Sequence, residues 1–567
     1  MRVVLGFAIF LLIPFFGFSD SKNNQSNFNY EAWKTTVSRA EAVLLAGRAS
    51  EKSLEILRDE LGDWRSNFKS LISINSDRIS LVQSQLDALP APSDDGEEDP
   101  LKGRRNELKT LLNDMKIPGL RANDAFIQAD TLISEIDLLL RARQTDALLT
   151  SDESPLRPSI WAQSIAQLSG AFFSPFTELR STEITDAQKI TLKKQAVSIV
   201  ALLLGTVISW MVGLKITNSI ETFKHTMVQK RLNALKLPVS ILELLFKFLS
   251  VLLLVRALHL SGLIGLKGSL FLDQLPYFSA LFLFAMWLPK HLFSGEVGFL
   301  SSLNLNSKLT TNSNFGAAAL VLILFDLTST GLAQSSIDGD ANAFATLIIT
   351  LMASFILWRI YKSITDIETL FSENQNVNGQ FSSTFSSRLT YLINRFLLIA
   401  LFLAPVLVAV GYVNAGRELT QSVILSLGLI STVIIIQDYV IGLYLMVLGE
   451  ENDNKDKLIP ILISFVLLLV SLPFFAVIWG VRQQELLEIW SSFQSGFELG
   501  TIKLSPGLIL GFLVIFTIGY MLTRLVQSAL QTTVLPRTSM DGGAQTAIIS
   551  GVGYVGIFLA AIVAFST

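Results

Sequence analysis

Three ionisable residues stand inside strongly apolar segments: Asp326, Arg395 and Asp438. A charged side chain in the hydrocarbon core of a membrane costs about 2.5–3.5 kcal/mol or more, so such residues by default indicate a function. In a transporter they would form a proton or ion relay. The alternative is a buried pair, or polar side chains that fix helix packing. We favour this second interpretation, because no further acid lies at helical spacing from Asp326 or Asp438.

Residues for other chemistry are missing from the sequence. The chain has no cysteine, which excludes disulfides, thiolate zinc sites and a cysteine nucleophile. His225, His259 and His291 are too scattered to form a ligand cluster. The sequence also lacks a phosphate-binding Gly-rich loop, an HExxH helix and a GxSxG elbow. We therefore expect no enzymatic activity, no metal and no cofactor.

The composition is that of a membrane protein. Half of the 567 residues are hydrophobic and 16% are charged, whereas soluble domains carry about 25% charged residues. The net charge of −3 gives no indication of nucleic-acid binding. A span needs about 20 apolar residues, and ten segments qualify: 195–215, 239–257, 275–293, 315–333, 342–361, 391–413, 419–447, 458–480, 506–526 and 546–566.

Residues 1–20 resemble a signal peptide. Arg2 precedes an apolar core over 3–18, and small and polar residues follow at Ser19 and Ser21. An uncleaved anchor is the alternative, but the core is short and Pro14 interrupts it, which favours cleavage. Either way, residues 21–190 are delivered to the non-cytoplasmic side.

Residues 21–190 are predicted to form an all-α, coiled-coil-like bundle of three to five amphipathic helices. Apolar residues recur at spacings of three and four, which makes one buried stripe per helix. The acidic, proline-containing run 88–100 is predicted to be an exposed linker, and Pro118-Gly119 is predicted to be a turn. The stripe over the first helices comprises Trp33, Val37, Ala40, Leu44, Leu54, Leu57, Leu61, Trp64, Phe68 and Leu71.

The distribution of basic residues predicts the orientation. With the N-terminal domain outside, basic residues concentrate in the loops predicted to be cytoplasmic, as the positive-inside rule requires. Lys189, Lys193 and Lys194, just before the first span, oppose this orientation. The prediction is a multi-pass protein of the bacterial inner membrane with its N-terminal domain in the periplasm and eight spans over 191–500.

The last segment, 501–567, is predicted to be a helix pair joined by a polar turn that contains Arg537 and Asp541. Small residues on one side of a helix allow two backbones to approach closely in lipid. An ordinary tight helix contact would explain the same glycines. The candidate packing positions on the last helix are Gly551, Gly553, Gly556 and Ala560.

The run LPRTSMDGGAQTAIISGVGYVGIFLAAIVAFST resembles the second membrane-sensing helix of the small-conductance mechanosensitive channel family, in its large multi-span bacterial members. The RAR at 141–143 and the SPL…W at 154–161 are similar to the periplasmic domain of unknown function in those channels. The resemblance implies that the lipid bilayer is the partner and that a complete channel is a homo-oligomer. In the family, a pore helix and a cytoplasmic β-domain would follow Thr567. We therefore expect this chain to sense tension without conducting ions alone.

Two other functions stay open at this point. A multispanning secondary transporter or lipid translocator would use Asp326 or Asp438 in ion coupling. A membrane scaffold would use the outer helical domain to bind the cell wall or a periplasmic partner. Paired broken helices, which are typical of transporters, are not evident in the sequence.

Overall fold

The structure is a computed structural model, and it describes most of the chain. The described residues are 29–73, 76–89, 101–181, 186–223, 229–292, 305–334, 338–378, 384–448, 458–495, 497–499, 502–504, single positions between 512 and 530, and 542–565. The predicted signal peptide and the turn residues Arg537 and Asp541 lie outside this part of the chain.

The N-terminal region is helical, as predicted. Asn29 caps the first helix, because its side chain accepts a hydrogen bond from the backbone N–H of Ala32 at 3.1 Å. Gly47 ends that helix in the left-handed conformation, with φ 63°. The helices are α1 (Tyr30–Ala46), α2 (Glu51–Ser73), α3 (Ser76–Asp87), α4 (Lys102–Leu149) and α5 (Pro158–Ser181).

Helix α4 is longer than the sequence predicted. The turn expected at Pro118-Gly119 is wrong, because α4 continues through both residues. An internal proline costs a helix about 3 kcal/mol. Burial on both sides outweighs this cost: Leu112 packs against α3 before the proline, and Ala122 packs in the domain core after it. The result is one continuous helix of 48 residues.

The predicted apolar stripe forms the core of this domain. Trp33 packs edge-on against Phe68 with ring centroids 5.0 Å apart, and Trp64 stacks on Phe68 at 6.0 Å. These aromatic rings lie between α1 and α2, and they belong to the same core as Ala129 and Ile136 of α4, which are fully buried. The 3.6-residue periodicity thus predicted the core correctly.

A second group of helices follows, and its members are strongly apolar. A short antiparallel pair of strands pairs Glu498 with Lys503. The elements are α6 (Asp186–Phe223), α7 (Gln229–Ser261), α8 (Leu266–Leu292), α9 (Leu305–Gln334), α10 (Gly339–Asn378), α11 (Thr384–Val410), α12 (Val413–Leu448), α13 (Leu458–Ile478), α14 (Gln483–Ser495), β1 (Phe497–Leu499), β2 (Ile502–Leu504) and α15 (Gly542–Phe565).

Within the described residues, six helices are long and apolar enough to cross a membrane. They are Leu192–Ile216, Leu237–Ser261, Gly268–Leu292, Gly339–Ser363, Val413–Leu443 and Gln545–Phe565. Three further apolar helices are shorter: Ser313–Thr328, Asn394–Val410 and Leu462–Ile478. The protein is therefore a helical, multi-pass membrane protein. The three shorter helices coincide with predicted spans, and the predicted span 506–526 lies largely outside the described residues.

The interior of the membrane bundle lies between α9, α10, α11 and α12. Phe325, Ala353 and Leu357 are almost fully buried there and meet Val423 of α12. Helices α6 and α7 form a hairpin at one side, in which the Ser209 hydroxyl donates to the Phe246 carbonyl at 2.7 Å. Glu243 and Lys247, one helical turn apart on α7, form a largely buried ion pair in this hairpin.

Candidate functional site

The first candidate site is the C-terminal pair, formed by α15 and the described positions between 512 and 530. The two segments run antiparallel, since Phe512 meets Phe565 at one end and Gln527 donates a hydrogen bond to the Ile549 carbonyl at 2.9 Å at the other. Between these ends, a Cβ on Gly519 would lie 2.5 Å from the Cβ of Ala560. The two backbones therefore approach each other so closely that position 519 has no room for a side chain larger than that of glycine.

Two of the predicted glycines lie in this close contact and one does not. A Cβ on Gly553 would collide with the Gln527 amide, and one on Gly556 would collide with Thr523. Gly551 faces open space, with no atom within 4 Å of its would-be Cβ. The structure thus brings Gly553, Gly556 and Ala560 together on one side of α15, as 3.6 residues per turn dictates.

The opposite side of α15 is apolar and uncovered. Tyr554 is 77% exposed, and Val555, Phe558 and Val563 are also exposed. Among the described elements, α15 shares no extensive interface with any helix that precedes residue 500. The pair is thus held together internally by small residues, while its outer surface is suited to lipid.

The second candidate site is the coupling interface, where the N-terminal domain contacts the ends of the membrane helices. Its centre is Asp137 of α4, whose carboxylate accepts two hydrogen bonds from Arg58 of α2, at 2.7 and 3.1 Å. Arg482, which follows α13, donates to the same carboxylate at 2.9 Å. The two arginine side chains are only 5% and 8% exposed. A planar guanidinium binding a carboxylate through two bonds is a strong and directional contact.

A second carboxylate completes this network. Glu488 of α14 accepts hydrogen bonds from Arg58 at 2.8 Å and from Arg65 at 2.9 Å. Burial alone would lower the pKa of Arg58, but the hydrogen bonds and charges of Asp137 and Glu488 outweigh burial and raise the pKa above its ordinary value. Arg58 therefore stays charged, and α2, α4 and α14 are joined by ionic hydrogen bonds.

A third part of the coupling interface lies at the turn between α11 and α12. The backbone N–H of Asp152 donates to the Gly411 carbonyl at 3.0 Å, and the Ser154 hydroxyl donates to the Ala409 carbonyl at 2.6 Å. Gly411 has φ 117°, and a Cβ there would collide with the Asp152 carbonyl. Only glycine fits both the backbone and the approach of the second chain segment. Asn414 adds a hydrogen bond to the Ala147 carbonyl at 3.0 Å.

Helix α5 makes the last contact of this interface. The Gln167 amide donates to the Asp338 carboxylate at 3.0 Å, just before α10 begins. Trp161 packs on Phe344 with ring centroids 6.0 Å apart, and its indole N–H donates to the Pro155 carbonyl at 3.0 Å. Asp338 lies just before α10, Gly411 lies between α11 and α12, and Arg482 follows α13. Successive helices run in opposite directions, so these three connections lie at one end of the bundle. The N-terminal domain thus contacts three connections at the same end of the bundle.

The ionisable residues predicted inside the spans lie in different surroundings. Asp326 is half-buried in α9. Asp438 is half-buried near the C-terminal end of α12. Arg395 is exposed at the first turn of the apolar part of α11. The structure does not bring these three residues together.

Sequence reasoning missed Arg58, Asp137 and Arg482. One signal was available for the first of them: Arg58 lies four residues after Leu54 and three before Leu61, on the buried side of α2. A charge on an apolar stripe requires a buried partner. The identity of that partner was not readable, because Asp137 and Arg482 are distant in the sequence.

The comparisons with known proteins are sparse. Residues 119–174 match the model of a family described as a protein of unknown function, DUF3772. No curated protein gives a significant match. The matched residues cover the second part of α4, the segment that docks on Gly411, and most of α5. They therefore include Asp137 and the other α4 and α5 residues of the coupling interface.

Proposed function

We propose that this chain is the tension-sensing part of a mechanosensitive-channel-like protein of the bacterial inner membrane, in which the C-terminal pair is the sensor. The observation that carries the proposal is the asymmetry of α15. One side contacts its neighbour through Gly553, Gly556 and Ala560, and the other side is apolar and uncovered. Such a pair responds to lipid because most of its outer contacts are with the bilayer.

The physical mechanism is a change in the area that the pair occupies in the membrane. Membrane tension lowers the free energy of a conformation that occupies more area in the membrane. Tension therefore favours a conformation in which the pair is tilted or displaced outward. The glycines Gly519, Gly553 and Gly556 let the two segments approach closely, so the pair can move as one unit within the bilayer. The resemblance to the mechanosensitive channel family supports the same role for this segment.

The coupling interface supplies the fixed frame in this proposal. The N-terminal domain is bound to three connections of the bundle. Buried ion pairs and the hydrogen bond from Asp152 to Gly411 are among these contacts. Among the described elements, α15 has no comparable contact with a helix that precedes residue 500. Motion is therefore concentrated in the pair, while the bundle and the N-terminal domain remain together. In this proposal the N-terminal domain lies in the periplasm.

The experiment measures distances between spin labels in liposomes. Because the chain has no cysteine, labels can be attached at Tyr554→Cys on α15 and Ile348→Cys on α10. Lysophosphatidylcholine, added to one leaflet, changes the lateral pressure on the protein. We expect the distance distribution to shift by several ångströms, because α15 moves relative to the bundle.

The control pair is Ile348→Cys with Val406→Cys, which are both exposed on the bundle. Its distance distribution should not change. An unchanged distance between positions 554 and 348, or an equal shift in the control pair, would exclude α15 as the tension-sensing element.

A further inference from the structure

Helix α14 is amphipathic, and its acidic side is the side that is covered. Glu488 accepts hydrogen bonds from Arg58 at 2.8 Å and from Arg65 at 2.9 Å. Glu485, about one turn earlier, lies 3.3 Å from the Arg141 guanidinium. The side chains of Glu488 and Glu485 are only 33% and 22% exposed. Helix α14 thus turns its charged side toward the N-terminal domain.

The opposite side of α14 is apolar and exposed. Leu487, Ile489, Trp490 and Phe493 are between 44% and 65% exposed, and Trp490 stacks on Phe493 with ring centroids 5.7 Å apart. On a helix of 3.6 residues per turn these four residues occupy an arc of about 160°, and Trp490 lies about 160° from Glu488. We call the four residues the α14 surface. Covered acids and exposed apolar side chains are the reverse of what a helix at a boundary between protein and water shows.

Helix α14 lies where the chain leaves the membrane bundle. Gly480 follows the end of α13 in the left-handed conformation, with φ 94°. The five peptide units from Ile478, the last residue of α13, to Gln483, the first of α14, span about 17 Å at most. After α14 the chain passes through β1 and β2 to the predicted span 506–526. Apolar segments thus flank α14 on both sides in the sequence and hold it close to the boundary between bilayer and water.

We propose that α14 is an interfacial helix whose α14 surface binds phospholipid, in the leaflet on the side of the N-terminal domain. The α14 surface points away from that domain, because Glu485 and Glu488 on the opposite side bind it. Since the N-terminal domain contacts the end of the bundle, a side that points away from it points toward the bilayer. An amphipathic helix in this place inserts its apolar side about 5–10 Å into the region between headgroups and acyl chains. Trp490 suits this depth, because an indole ring is apolar and its N–H is polar.

Phospholipid matches the α14 surface better than the stretches of chain outside the described residues do. On the side of the N-terminal domain, 21–28 and 90–100 are polar or acidic, and neither contains an apolar run. Residues 505–511 begin the predicted span 506–526 and enter the bilayer with it, and residues 1–20 resemble a signal peptide. Two further stretches join helix ends at the opposite end of the bundle: 293–304 and 449–457. Phospholipid, in contrast, surrounds the ends of the membrane helices in every bilayer.

The α14 surface is a lipid contact separate from the C-terminal pair. Helix α14 connects this contact to the N-terminal domain, because Glu488 binds Arg58, which also binds Asp137 of α4. A displacement of α14 by lipid is therefore passed to α2 and α4 through ionic hydrogen bonds. The inference does not rest on tension sensing, since it concerns α14 in a bilayer at rest.

The test measures which reagents reach α14 in the full chain, reconstituted in vesicles of phosphatidylethanolamine and phosphatidylglycerol. Because the chain has no cysteine, single nitroxide labels can be attached at Leu487→Cys, Trp490→Cys and Phe493→Cys. Oxygen concentrates in lipid, whereas a neutral nickel chelate stays in water. We expect each of the three labels to collide more with oxygen than with the nickel chelate.

Ser491→Cys is the matched control, because Ser491 is exposed and lies about 100° around the helix from Trp490. Its label should favour the nickel chelate, so the ratio of oxygen to nickel collisions should be several-fold higher at position 490 than at 491. The four positions are exposed, and the helical circular dichroism of each labelled variant checks its fold.

Two results would overturn the proposal. Nickel collisions as frequent at position 490 as at 491 would mean that the α14 surface lies in water. Few collisions with either reagent at positions 487, 490 and 493 would mean that another part of the protein, or a second copy, covers the surface. No tension is applied, so either result is independent of the role proposed for the C-terminal pair.

Discussion

At the scale of single residues, the most consequential charge is Asp137. It accepts hydrogen bonds from two arginines that are almost completely buried, so it neutralises charge that water cannot reach. Removing one member of a buried ionic network costs more than the network contributes over apolar packing, because the remaining charge is left uncompensated. Asp137 should therefore be far more sensitive to substitution than exposed acids on the same helix.

The corresponding prediction concerns Asp137→Asn, which preserves the side-chain volume and removes the charge. We expect a loss of about 3 kcal/mol in local stability, and amide hydrogen exchange in α2 and α4 should be roughly 100-fold faster. Glu107→Gln is the control, since Glu107 forms an exposed pair with Arg104 on the same helix. Equal exchange rates in the two variants would contradict a structural role for the buried network.

A second residue-scale prediction concerns Gly411. Gly411→Ala places a Cβ against the Asp152 carbonyl at a positive φ, so the segment 150–157 should separate from the α11–α12 turn. The amide of Asp152, which donates to Gly411, should then lose its protection from hydrogen exchange. Gly428→Ala is the matched control, because its Cβ would meet open space inside a helix. If the Asp152 amide stayed protected from hydrogen exchange in the Gly411→Ala variant, the contact at position 411 would tolerate a side chain.

At the scale of elements, the sequence predicted the helices and their buried stripes well, and it predicted their ends less well. Periodicity was sufficient for α1 and α2, where Trp33, Leu61 and Phe68 are buried as expected. It failed at Pro118, since the proline signal is local whereas the burial that keeps α4 continuous comes from α2 and α3. The glycines of α15 were predicted as one group, but Gly551 faces open space.

This difference within α15 gives an element-scale prediction. Gly556→Leu should force the C-terminal pair apart, because the new side chain would collide with Thr523. Gly551→Leu adds the same apolar volume on the open side and should leave the pair intact. The readout is the disulfide yield between Phe512→Cys and Phe565→Cys, whose parent rings are 5.4 Å apart. A similar yield with both leucine variants would mean that the small-residue contact does not set the packing.

At the scale of the whole molecule, long-range contacts join the N-terminal domain to the membrane bundle. They connect residues up to 430 positions apart, as from Arg58 to Glu488. Such contacts could not be predicted from one sequence, since no local pattern encodes them. The small-residue side of the C-terminal pair, in contrast, was predicted from the sequence of α15 alone.

The central claim is that membrane tension moves the C-terminal pair relative to the rest of the protein. The most direct test places an environment-sensitive fluorophore at Tyr554→Cys in giant vesicles held by micropipette aspiration. The emission should change in a graded and reversible manner with applied tension, while the same fluorophore at Ile348→Cys should not respond. A signal from position 554 that is independent of tension, or that matches the signal from position 348, would contradict the claim.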